Sequence, residues 1–238
     1  FGAGLVIAMA FTPERRFFFD RRLYMGGVLA LLLVLPNILW QAFNGAPTLE
    51  FMGNAALYKN SPMWPHQYAA AQLLMLNPLN VLVWGAGLFF GLFAAKGKRF
   101  RLFSIAYLAI FAIFVLTRGK TYYLSPAYAM IIPLGAVCWE EFTDSRRALR
   151  PMLLGLLTVS GIVVAPFALP ILPPETFLRY QAAIGIEPPR EEKGHTSALP
   201  QHFGDRFGWE DMVKMFGAAY NGLDAESRAK CTILTSNY

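Results

Sequence analysis

Cysteine is nearly absent from this sequence, with Cys138 and Cys231 the only two, and histidine is scarce, with three. None of them stands beside others at metal-ligand spacing, so a zinc centre of the usual kind is excluded. Charge is thin as well. Asp, Glu, Lys and Arg make up 15% of the 238 residues against 55% apolar, too greasy a balance for an ordinary soluble domain of this size. The bilayer is the expected solvent. Internal repeats and low-complexity tracts are lacking. The chain opens on Phe1 inside an apolar stretch, without Met, charged leader or cleavage motif; a signal peptide is not expected, and the start reads as a cut.

The net charge of +6 raises the question of nucleic acid, so its distribution matters. Residues 1–169 carry 14 Lys and Arg against 6 Asp and Glu, whereas residues 170–238 carry 7 against 9. The excess is confined to the apolar part, where basic side chains set topology and meet lipid headgroups. No zinc finger and no platform of interleaved aromatic and basic residues accompanies it, which excludes nucleic acid as a partner and leaves membrane lipids.

Five runs reach the ~20 mostly apolar residues that cross ~30 Å of hydrocarbon. They cover about 23–43, 72–95, 102–117, 122–139 and 152–169, and the stretch 1–11 reads as the end of a sixth, partial span. The loops set a consistent orientation. Arg15, Arg16, Arg21 and Arg22, then Lys96, Lys98, Arg99 and Arg101, then Arg146, Arg147 and Arg150 fall in alternate loops, expected inside. The loops between them hold only Lys59, and Arg118 with Lys120. The tail after Leu169 is therefore expected outside, and a disulfide between Cys138 and Cys231 is excluded by topology. Prolines at 36, 78, 126, 133 and 166 predict kinks. The segment 61–71, with Trp64, Pro65, His66 and Tyr68, has the mixed aromatic and polar character of a stretch lying along the interface.

The tail divides into a linker over 170–200, with a short helix near 175–184, and the start of a soluble domain over 201–238. There, apolar residues at 212, 213, 216 and 220 predict a helix from Trp209, and Cys231–Leu234 is a β-prone run. A helix then a strand suggests a small α/β unit, cut before its sheet could close.

The most informative stretch is TRGKTYYLSPAY, residues 117–128. Two cations and two adjacent phenols stand at the outer boundary, on the side where the positive-inside rule disfavours Arg and Lys. Arg118 offers a forked contact to phosphate, Lys120 a point charge and Tyr122 or Tyr123 a hydroxyl. Cations snorkelling to headgroups beside an aromatic belt account for the same pattern. In the preceding outer loop Glu50, the lone carboxylate, reads chiefly as solvated, and Glu50, Lys59 and His66 are candidate contacts to donor or acceptor. Gln72 and Asn77 read as hydrogen-bonding partners of neighbouring helices. His195 and His202 read as surface residues.

The stretch TRGKTYYLSPAYAMIIPLGA resembles bacterial glycosyltransferase family 39, the group related to protein O-mannosyltransferases and lipid A aminoarabinose transferases. TPERR (12–16), LPNILWQ (35–41), PTLEF (47–51), QLLMLNP (72–78) and LPQHFGDRFGWEDMV (199–213) continue the resemblance in order along nearly the whole chain. It implies a GT-C-like all-α helix bundle in the bacterial inner membrane, with an incomplete α/β tail facing out. It implies transfer of a sugar from a polyprenyl-phosphate donor to an acceptor whose identity stays open. Lys120 and Tyr123 would lie near the lipid phosphate, with Arg118 and Tyr122 as neighbours. The family's catalytic acid sits in a first outer loop that nothing here matches, so the resemblance implies no catalytic residue in this chain and no activity of the chain alone. It fixes no cofactor and leaves a divalent cation open. Two other readings compete: a transporter or flippase of lipid-linked substrates, which would need paired broken helices and intramembrane charges, and a scaffold whose tail binds a partner.

Overall fold

The computed structural model describes residues 1–60, 63–146, 148–185 and 198–233. Ser61, Arg147, His195, Leu234 and residues 186–197 of the expected linker lie outside the described residues.

Among the described residues, the first compact unit, up to Ile171, holds eight α-helices. They are α1 (Gly2–Ala10), α2 (Arg21–Phe43), α3 (Pro47–Asn54), α4 (Pro65–Met75), α5 (Val81–Phe93), α6 (Arg101–Leu116), α7 (Tyr128–Thr143) and α8 (Leu149–Ala168). Short 3₁₀ segments at Pro13–Phe19, Pro78–Asn80, Lys96–Phe100 and Thr121–Ala127 join them, and the π-helical turn Ala55–Lys59 continues α3. Four helical runs are long and apolar enough to cross a bilayer: Arg21–Phe43, Lys96–Leu116, Thr121–Thr143 and Leu149–Ala168. A fifth crossing exists if α4 and Pro78–Phe93 count as one bent span.

That bend is a departure from the sequence reading. The run 72–95 is not one straight helix: α4 and the segment opening at Pro78 meet at 106°. The cause is local. Pro78 disfavours helical backbone at the residue before it, and Asn77 turns to φ 71°, a left-handed value that its short polar side chain tolerates. The Asn77 carboxamide oxygen then accepts from Leu79 N–H at 3.2 Å, and Asn80 Nδ2 donates to the Leu76 carbonyl at 2.6 Å. Ser160 on α8 also donates to Asn77. The freed backbone groups of the break are thus partly repaired by side chains, as apolar surroundings require. The interfacial segment after residue 61 is mostly the start of α4.

Packing follows small residues. Along α5 and α7, a Cβ on Gly87 would strike the Ile131 carbonyl oxygen, and one on Gly135 would strike that of Val83. The two backbones therefore touch directly, the close approach that glycine permits between membrane helices. The pairing is parallel: Lys96, just past α5, forms a 3.1 Å ion pair with Glu141 at the end of α7. Gly4 of α1 lies against Ile110 of α6, and Phe1 meets Phe114, so those two helices run antiparallel. Between them a core of Tyr68, Tyr107, Ile110, Leu124, Ala127, Tyr128 and Ile131 is buried. By contrast α2 has no buried residue, and its Leu29, Leu32 and Leu33 are 59–77% exposed, an apolar surface suited to lipid.

The second unit is helical throughout its described residues: α9 (Pro174–Ile184), α10 (Gln201–Gly204), α11 (Trp209–Asn221) and α12 (Ala225–Lys230). Phe177 and Phe203 are fully buried and stack with centroids 4.9 Å apart. Asp224 caps α12 by accepting from Ser227 N–H at 2.9 Å, and that bond holds its carboxyl below the usual range. The β-prone run shows no strand over its described residues 231–233.

Candidate functional site

The segment 118–121 joins α6 to the helical run that begins at Thr121. Its first turn closes α6: Gly119 N–H donates to the Phe114 carbonyl at 2.8 Å and Arg118 N–H to that of Val115 at 3.3 Å. Arg118 itself takes φ 53° although a glycine stands next to it. A left-handed non-glycine residue costs about 1–2 kcal/mol, and such strain persists where the surroundings hold it in place.

What holds it comes from a single earlier segment. Asn60 Nδ2 donates to the Arg118 carbonyl at 3.3 Å, the Tyr68 hydroxyl to the Lys120 carbonyl at 3.1 Å, and Gln72 Nε2 to the Thr121 carbonyl at 3.1 Å. Behind Gln72, the Tyr128 hydroxyl donates to Gln72 Oε1 at 3.3 Å and the Tyr107 hydroxyl to that of Tyr128 at 2.9 Å. Trp84 packs edge-on against Tyr128 with centroids 5.7 Å apart. Gln72, Thr121, Tyr107 and Tyr128 are all at most 3% exposed.

Three carbonyl oxygens, the negative ends of peptide dipoles, are thereby tied back toward the α4 side. The side chains of the same loop are cationic and phenolic. Lys120 Nζ lies 5.7 Å from the centre of the Tyr122 ring, a cation–π contact. Tyr122 and Tyr123 meet edge to face at 4.8 Å, and Tyr123 packs on Phe114 at 5.9 Å. Both tyrosines are nearly half exposed, at 47% and 43%, and Arg118 is exposed. Asn60, Met63, Tyr68, Val115 and the loop line a small cleft of about 10 Å³, room for one water. Such an arrangement can receive an anion: the loop presents cations, one of them against the Tyr122 ring, and the carbonyls that would repel an anion are engaged.

The four residues singled out in TRGKTYY therefore lie together. Lys59 is half-buried at the end of the turn that carries Asn60, and His66 is exposed in the first turn of α4, two residues before Tyr68; neither lines the cleft. Glu50 is exposed in the first turn of α3 and does not line it either. His202 is exposed. Among the described residues no cluster of three or more His, Cys, Asp or Glu could hold a metal ion. Gln72 and Asn77 do reach other segments, as expected, but Gln72 lands on the basic loop. Asn60, Tyr68, Tyr107 and Tyr128 were not legible as site residues; a polar residue inside an apolar run, as at Gln72, was the one usable signal.

Fold and site together define an all-α membrane protein with four to five helices able to span the bilayer and a basic, aromatic loop at one end of the bundle. Compared with family models, curated proteins and solved structures, the chain matches none of them.

Proposed function

We propose that this chain is the membrane part of a glycosyltransferase, of the family 39 type that its motifs resemble, taking a sugar from a polyprenyl-phosphate donor to an acceptor outside the cytoplasm. The observation that carries the reading is the strained, carbonyl-tied loop Arg118–Thr121, with Lys120 and Tyr122 in contact beside it. In such a transfer the leaving group is a lipid phosphate that gains charge, and a pre-positioned cation stabilises it without reorganising. Lys120 supplies the point charge, Arg118 a forked donor, and Tyr122 and Tyr123 hydroxyls and an apolar surface for the first isoprene units. The base belongs to another part of the protein, and a requirement for a divalent cation stays open. The bundle is GT-C-like and sits in the bacterial inner membrane, with the tail on its outer side.

The topology is supported by which loops meet. Lys96 and Glu141 pair at one end, and residues 60–72 bind 118–121 at the other, as strict alternation requires. If the tail is outside, a membrane-impermeant maleimide added to intact cells labels Cys231, which is exposed, with Cys138→Ser in place to remove the other thiol. Labelling only after permeabilisation refutes the orientation.

For the ligand, the intact protein in nanodiscs is expected to bind farnesyl phosphate at least about tenfold more tightly than farnesol, with the difference shrinking as salt rises. Equal affinity for the two sinks the phosphate site. The transporter reading has one observation in its favour, the broken pair at Asn77. It would be preferred if vesicles containing the protein moved a lipid-linked sugar across the bilayer without transferring it.

A further inference from the structure

Arg118 is exposed and Lys120 half-buried, yet the backbone that carries them is governed from inside the bundle. Four hydroxyl and amide groups form a directional chain: Tyr107 O–H to Tyr128, Tyr128 O–H to Gln72 Oε1, and Gln72 Nε2 to the Thr121 carbonyl. Each donor in it can point only one way. The Thr121 carbonyl can only accept, so the amide nitrogen of Gln72 faces the loop, and its oxygen is left to accept from the Tyr128 hydroxyl, which braces that orientation. Tyr107, Tyr128 and Gln72 are at most 3% exposed, so bulk water does not compete for these bonds. Trp84 and Phe111 wall the chain laterally, packing on Tyr128 at 5.7 Å and on Tyr68 at 5.5 Å.

The chain extends well past what packing alone would call for. Three apolar residues could fill the same volume, and burying an amide between a phenol and a peptide carbonyl carries a cost unless its orientation matters. Its terminus is the carbonyl of Thr121, the residue directly after Lys120. Tyr68 holds the preceding carbonyl, that of Lys120 itself. The Lys120–Thr121 and Thr121–Tyr122 peptides are thus each held by their oxygen, the first by Tyr68 and the second by Gln72, both drawn toward α4.

We propose that Gln72, oriented by Tyr128 and Tyr107, is a positioning residue that makes the basic loop selective for an anionic headgroup, acting through the Lys120–Thr121 backbone and not by touching the ligand. The inference rests on the reading of this loop as a lipid-phosphate site. Without the chain, the Thr121 carbonyl is released and the peptide dipole can rotate its negative end toward the anion. Affinity for the phosphate then falls while affinity for the lipid tail does not.

The test uses the intact protein in nanodiscs with two probes, farnesyl phosphate and farnesol, and five proteins: wild type, Lys120→Ala, Gln72→Met, Tyr128→Phe and the Gln72→Met/Tyr128→Phe double variant. Gln72→Met keeps volume and removes both polar ends; Tyr128→Phe deletes a single oxygen and guards against a variant that fails to fold. The expected result is a loss of about five- to twentyfold in farnesyl phosphate affinity for both Gln72→Met and Tyr128→Phe, with farnesol binding unchanged. The double variant should be no worse than Gln72→Met alone, because the two changes break one chain. Wild-type phosphate affinity in both variants, alongside a loss in Lys120→Ala, overturns the positioning role and leaves the phosphate site standing. Wild-type affinity in Lys120→Ala overturns the phosphate site itself. Parallel losses of phosphate and alcohol binding in Tyr128→Phe also overturn the proposal, since they report a general packing role.

Discussion

Gly135→Val is expected to leave little correctly assembled protein, and Gly135→Ala to lower its thermal midpoint by several degrees. The physical reason is that the new Cβ meets the backbone carbonyl of Val83, which cannot swing aside as a flexible side chain would. Overpacking a well-fitted interior costs typically about 1–3 kcal/mol, and a collision with backbone belongs at the upper end or beyond. Gly87→Ala should behave alike, because its Cβ meets the Ile131 carbonyl from the other side of the same contact. Gly155→Ala in α8 is the control: nothing lies within 4 Å of its added carbon, so it should be neutral or slightly stabilising. Thermal unfolding in detergent, followed by size exclusion, reads all four. Equal midpoints for Gly135→Ala and Gly155→Ala would show that α5 and α7 are not in backbone contact. The consequence reaches the site, since α7 carries Tyr128 and α5 carries Trp84 beside it.

If the proposed transfer holds, Lys120→Ala reduces turnover of a lipid-linked sugar on the order of 10²-fold in kcat, the scale of removing one pre-positioned donor from a developing anion. Lys120→Arg is expected to recover only part of it, because a forked guanidinium does not reproduce a compact point charge seated against the Tyr122 ring. Arg118→Ala should cost less in the chemical step and show more in KM, its side chain being exposed. Single-turnover measurements with membrane-reconstituted enzyme separate the two. Kinetics unchanged by Lys120→Ala would remove the assignment of this loop as the phosphate site.

Some of the helical architecture was legible because the bilayer imposes a length. The runs read at 23–43, 102–117 and 152–169 correspond to α2, α6 and α8 within a few residues. The run at 122–139 is a helical stretch from Thr121 to Thr143, its first turns 3₁₀ where Pro126 removes a donor. The run at 72–95 failed as a straight span for a reason present in the sequence, the pair Asn77–Pro78, whose effect on direction only the surrounding helices could define. In the tail, Pro174–Ile184 and Trp209–Asn221 form where helical spacing suggested, while the β-prone run finds no strand partner among the described residues.

By itself the sequence determined that the chain lives in a membrane, roughly where it crosses, and that two cations stand in one unusual loop. Those properties depend on residues near one another along the chain, through hydropathy, helix rise and the positive-inside bias. Only the tertiary structure decided what holds that loop. Asn60 to Arg118, Tyr68 to Lys120, Gln72 to Thr121 and Tyr128 to Gln72 are separated by 49 to 58 residues, and no local pattern pairs them. They meet because glycines let α5 and α7 close to backbone contact and because the break at Asn77 sends α4 off at its own angle to α5. A hydrogen bond between distant segments is a property of the packing, and the packing is where this loop acquires its shape.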